Sequence, residues 1–96
     1  MTPLQKAAYC IWWSLNPNEN LGGRDDALMA LQEFDYPFVQ AFLEAFVCRS
    51  DEDEMLLDQA AESLWLIWER KNFRDDALVS KMAPAAQKYF AALHKS

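Results

Sequence analysis

Apolar residues recur along this chain at helical spacing and show no strand-like alternation. The clearest stripe is Leu57, Ala60, Ala61, Leu64, Ile67 and Trp68, at i, i+3, i+4, i+7 positions within residues 50–73. Four consecutive acids, Asp51, Glu52, Asp53 and Glu54, precede it, and Arg70 and Lys71 follow. Both placements suit a helix dipole. Ser50 with Asp53 resembles a capping box, and Asn72 is the predicted stop. This long helix is predicted to form the centre of the core.

The first helix begins at Thr2-Pro3, with Thr as cap and Pro at the first helical position. Its predicted inward stripe is Leu4, Ala8, Ile11, Trp12 and Leu15, with Ala7 alongside, and Tyr9 and Trp13 form an i, i+4 pair on a second face. Residues 16–23 read as a loop, because Asn16-Pro17 and Gly22-Gly23 are strong breakers. A second helix over about 25–34 turns Ala27, Leu28, Leu31 and Phe34 inward, and Asp35 is the expected cap of a third, about 37–49. That third helix is apolar nearly all round, with only Gln40 and Glu44 interrupting it, so burial on most sides is expected. A short helix from Phe73 to near Met82 and a Pro84-started helix to about Leu93 complete the chain. In the last one Ala86, Tyr89, Phe90 and Leu93 are predicted inward, while Lys81, Lys88 and Lys95 stay solvated. The fold class is therefore all-α: five to six helices in a short α-solenoid or HEAT-like bundle, one domain over 1–96.

Arg24-Asp25-Asp26-Ala27-Leu28 recurs as Arg74-Asp75-Asp76-Ala77-Leu78. Each copy follows a helix containing Ile and Trp and precedes a Pro-started helix, which allows two copies of a three-helix unit, 3–49 and 51–94. Asp25 and Asp75 are the expected helix N-caps.

Composition narrows the function. A net charge of −6 and a pI near 4.6 argue against direct binding of nucleic acid or an anionic membrane, and suit either solubility or a basic partner. Cys10 and Cys48 form no disulfide framework and no CxxC. No signal peptide and no apolar run of membrane-spanning length is evident, which points to the cytoplasm. The single histidine, His94, stands beside Lys95 with no HExxH, and neither cysteine has a base nearby in sequence. The pairs Glu54/Asp58 and Asp58/Glu62 lack the Glu-x-x-His motifs of di-iron bundles and the glycine of a calcium loop. The sequence thus predicts no catalytic residues, no metal and no cofactor.

Residues 51–62 hold six acids and no base. A solvated face is the ordinary explanation. Asp58 and Glu62, however, repel across i, i+4 at a cost of about 0.2–0.5 kcal/mol, and Trp65 and Leu66 place apolar surface beside them. An aromatic anchor ringed by acids is a means of capturing a basic partner. The candidate partner-binding residues are Asp51, Asp53, Glu54, Asp58, Glu62, Trp65 and Glu69.

The segment AAESLWLIWERKNFRDDALVSKMAPAAQKYFAAL, from Ala60 to Leu93, joins an aliphatic-Trp helix end, a short Phe-Arg-Asp-Asp-Ala-Leu helix and a Pro-started last helix. In this it resembles the small HEAT-like immunity proteins of bacterial contact-dependent inhibition and polymorphic-toxin systems. The resemblance implies a non-enzymatic protein that binds a cognate toxin domain, often a basic nuclease, and blocks its active site or substrate groove. An acidic helical adaptor or regulatory module is the alternative, and a small enzyme or metal protein a third. A homodimer through Trp65 and Leu66 also remains open.

Overall fold

The computed structural model describes residues 1–94, with side chains to residue 91. Its helices start where the sequence offers a cap or a proline. Helix α1 (Pro3–Leu15) opens with a capping box: Thr2 Oγ1 accepts from Gln5 N at 3.2 Å, and Gln5 Oε1 accepts from Thr2 N at 2.8 Å. Helix α2 (Leu21–Ala30) is capped by Asn20, whose Oδ1 accepts from Gly23 N at 2.7 Å, and it runs on into a 3-10 turn, Leu31–Glu33. Helix α3 (Pro37–Phe46) uses Pro37 at its first position, where a missing N–H costs nothing. Helix α4 (Glu54–Lys71) is capped by Asp53, α5 (Asp76–Val79) by Asp75, and α6 (Pro84–His94) again begins at a proline. No strand occurs among the described residues, so the predicted all-α class holds.

The end of α4 is set by one residue. Asn72 adopts the left-handed conformation at φ 53°, which Asn tolerates better than other side chains with a Cβ. That turn lets Asn72 N donate to Glu69 O at 3.1 Å and Phe73 N donate to Trp68 O at 2.8 Å. These are the paired bonds of a Schellman motif, and the usual apolar clasp is present: the Phe73 ring meets Trp68 edge-on at 5.3 Å.

Helix α4 lies at the centre and packs against α2, α3 and α6, with α1 outside on α2. All six positions of its predicted stripe, Leu57, Ala60, Ala61, Leu64, Ile67 and Trp68, are buried. Trp68 is the hub. Its ring also meets Phe90 of α6 edge-on at 5.2 Å, and its Nε1 donates to Glu44 Oε2 of α3 at 3.1 Å. Ala83 N donates to Val47 O at 2.8 Å, tying the connector before α6 to the end of α3.

Several expectations need correction. Helix α1 turns Ala7 and Ser14 inward, with Cys10 and Ile11 half-buried, while Leu4, Ala8, Trp12 and Leu15 face solvent. Helix α2 begins at Leu21, not Asp25. Gly22 and Gly23 sit in its first turn with negative φ, because the Asn20 cap closes over them. A Cβ on Gly23 would lie 3.1 Å from Glu19 Cγ and 3.3 Å from the capping oxygen, so glycine serves there by close approach. Asp25 is consequently interior to α2, whereas Asp75 does cap α5, accepting from Leu78 N at 3.1 Å. The two Arg-Asp-Asp-Ala-Leu segments therefore occupy different helical positions. Tyr36, not Asp35, precedes α3 as its cap residue, and no side chain caps it. Asp35 instead pairs with Lys71 at 3.3 Å. Helix α3 ends at Phe46 and is buried along one side only (Val39, Leu43, Phe46), leaving Phe38, Ala41 and Ala45 exposed. Ser50 lies within the turn into α4 and does not cap the helix, a role taken by Asp53. The expectations for the side chains of Leu93, His94 and Lys95 fall outside the described residues.

Candidate functional site

At about 100° per residue, positions 54, 58, 62, 65 and 69 fall within about 80° of arc on α4, on the side away from its buried stripe. Glu54, Asp58 and Glu69 are exposed there, and Glu62 and Trp65 are half-buried. Glu62 is held in place from the polar edge of the core. Ser63 Oγ donates to Leu28 O of α2 at 2.8 Å, and the buried Gln59 Nε2 donates to Ser63 Oγ at 3.4 Å and to Glu62 Oε2 at 3.3 Å.

Two neighbouring helices extend the stripe. Asp25 of α2 has its carboxyl pushed above the ordinary range, first by burial and then by the charges of Asp26, Glu62 and Asp58. Tyr89 of α6 is pushed up to about 12, again mainly by burial, with the Glu62 carboxylate beside it adding to the shift. Toward the start of α4 an open cleft of about 450 Å³ separates it from α6. Glu54, Asp58 and Met55 line one wall and Pro84, Ala85 and Lys88 the other.

Five of the described cations are engaged elsewhere, and Lys88 stands across the cleft from Glu54 and Asp58. Arg24 pairs with Glu52 at 3.1 Å, and Arg49 approaches Glu52 at 3.6 Å and Asp51 at 3.8 Å. Lys71 pairs with Asp35, Arg74 with Asp76 at 2.7 Å, and Arg70 donates to Gln32 O at 2.9 Å. Among the described residues no ion pair involves Asp25, Asp26, Glu54, Asp58, Glu62 or Glu69.

The acids anticipated as one patch thus divide. Asp51 lies near Arg49, and Asp53 accepts from Met55 N at 2.8 Å as the α4 cap. Glu52 turns back between two arginines. Glu54, Asp58, Glu62, Trp65 and Glu69 share the outer sector of α4, with Glu69 at its far end. Trp65 packs partly against the core, and Leu66 next to it is more exposed. Asp25, Asp26 and Tyr89 were not anticipated at this surface, because only the packing of α2 and α6 on α4 brings them there. Periodicity within one helix carries no signal of that meeting.

Carboxylates dominate this surface. Among the described residues no three His, Cys, Asp or Glu side chains come together as a metal-binding group. Cys10 and Cys48 are free and half-buried, and burial raises both thiols, which disfavours the nucleophilic thiolate. No described helix is long and apolar enough to cross a membrane. Comparison with protein-family models, curated proteins and solved structures finds no match to this chain.

Proposed function

We propose that this protein is an immunity protein: a stoichiometric inhibitor that binds a cognate basic toxin domain, such as a nuclease, through the outer sector of α4 and blocks its active site or substrate groove. One observation carries the reading. Asp25, Asp26, Asp58 and Glu62 lie together outside the ion pairs of the described residues, while Arg24, Arg49, Lys71 and Arg74 pair with other acids. Like charges held together outside any ion pair raise the energy of the free protein, and lysines or arginines of a partner relieve it. A nuclease presents such cations where it grips phosphates. The acids would steer association and occupy the cationic groove, while Trp65 and the exposed Leu66 supply apolar contact that slows release.

The test begins with affinity purification from the native bacterium, where a basic toxin fragment is expected to co-elute at one-to-one stoichiometry. Binding of that fragment to Asp58→Lys/Glu62→Lys is then measured across a salt series. The reading expects an affinity loss of at least about 100-fold at low salt and a shallower dependence on ionic strength. Unchanged affinity and salt slope in a variant that retains its helical circular dichroism would refute it. Recovery of a housekeeping complex instead of a toxin would favour the adaptor reading.

A further inference from the structure

The exposed side of α1 carries four large apolar side chains beside Gln5 and Lys6. Ala7, Cys10, Ile11 and Ser14 turn toward the rest of the protein, whereas Leu4 (51% exposed), Tyr9 (45%), Trp12 (58%) and Leu15 (41%) point away. Tyr9 and Trp12 stack on one another at 5.8 Å and 21°, forming a single aromatic plate. An amphipathic surface helix has the opposite arrangement. A stripe of bulky apolar side chains is thus left uncovered on this helix. We propose that it pairs with α1 of a second copy, antiparallel about a two-fold axis.

Three features select a second copy as the occupant. The first is charge. Each chain carries −6, so two copies can approach closely only through a face without acids. Lys6 is the only charged residue of α1, and it lies outside the sector of Leu4, Ala8, Trp12 and Leu15. A basic partner drawn by the acids of α2 and α4 would find nothing complementary here.

The second is self-complementary shape. In an antiparallel pair with its two-fold axis near residue 10, Trp12 of one copy opposes Ala8 of the other, and Leu4 falls within one residue of the position opposite Leu15. The largest side chain of the stripe thus faces the smallest, which lets the two helices approach to the usual 8–10 Å. The same contacts recur on both sides of the axis, as an isologous interface requires.

The third is area. From the exposures of these side chains, complete burial gives roughly 450 Å² per copy, so at most about 900 Å² in total, a little under the size of a standard specific interface. The dimer is therefore expected to be weak and concentration-dependent. This inference stands apart from the proposed inhibition, since it uses none of the acidic residues.

Sedimentation velocity of the full chain over roughly 1–500 µM tests it, a range chosen for a small interface. The weight-average mass is expected to rise from 11.1 kDa toward twice that value. Trp12→Glu should weaken association by at least about 30-fold, a hot-spot effect. Ala8→Gln should do the same by filling the space opposite Trp12, and Leu66→Glu should leave the dimer intact. Because Trp12 and Ala8 are solvent-exposed in the single chain, unchanged thermal midpoints will show that the variants fold. A chain that stays monomeric throughout, or a dimer indifferent to both α1 substitutions, overturns the inference. So does a monomer in which Trp12→Glu instead abolishes binding of the basic partner, since the face would then belong to that partner.

Discussion

The same pentapeptide occurs twice in this chain, and its arginines do different things. Arg24 Nε donates to Ser14 O at 2.8 Å and its Nη2 reaches Glu52 at 3.1 Å, with side chains only 14% and 10% exposed. It thereby joins the end of α1, the start of α2 and the turn before α4. Arg74 bonds only Asp76, two residues away, and that carboxylate is 81% exposed. Arg24→Ala removes a charged donor from a carbonyl, worth about 1.5–3 kcal/mol, and leaves Glu52 with only the more distant Arg49. Complete loss of a buried partner would cost about 3–5 kcal/mol, but Arg49 retains part of it, so about 2–3 kcal/mol is expected. In a domain of this size that lowers the melting midpoint by about 10–20 °C. Arg74→Ala should cost about 0.5 kcal/mol or less, as exposed pairs do. Arg24→Lys should recover only part of the loss, because an ammonium cannot reach both partners with the geometry of a guanidinium fork. Thermal and urea denaturation followed by far-ultraviolet circular dichroism measures all three. Equal losses at Arg24 and Arg74, or a loss below about 0.5 kcal/mol at Arg24, would refute the bridging role.

Two further outcomes follow from the caps and from Tyr89. Asp53→Ala should lower stability by about 1 kcal/mol and Ser50→Ala should leave it unchanged, since only Asp53 bonds the first turn of α4; urea midpoints distinguish them. The Tyr89 phenol is held above its ordinary 10.0 at about 12, so below pH 10 folded and unfolded chains both keep the proton. Between those values the unfolded chain releases a proton that the folded chain retains, and stability falls as pH rises. Tyr89→Phe should remove that part of the alkaline decline, and superimposable stability profiles for the two proteins would sink the assignment.

The buried stripe of α4 was legible because six apolar positions repeat at helical spacing, and its terminus because Asn72 suits a left-handed turn. Pro37 and Pro84 likewise mark their helix starts. What periodicity could not supply was the choice between two apolar faces. In α1 both Ala7/Ile11 and Leu4/Trp12 recur at helical spacing, and the bulkier set loses its place in the core because small residues allow α1 to lie close against α2. Gly22-Gly23 misled for a related reason. A glycine pair breaks a helix interior but is tolerated in a first turn that Asn20 already closes. The acidic surface was half legible: the carboxylates on α4 share one helix, but Asp25 and Tyr89 join them only through tertiary packing.

Helix α4 divides its circumference between two tasks. The sector of Leu57, Ala60, Ala61, Leu64 and Trp68 is in the core, and the sector of Glu54, Asp58 and Glu69 is exposed, with Glu54 and Asp58 on the wall of the open cleft beside α6. A substitution in the outer sector alters the electrostatic pattern offered to a partner while leaving every core contact in place. Under the proposed function, partner choice and foldability are encoded at different positions of a single 18-residue segment. Such a segment can drift rapidly toward new specificities along one edge while its other edge stays under strict packing constraint. Under the proposed function, descendants of this chain would vary at 54, 58 and 69 and keep 57, 60, 61, 64 and 68 constant.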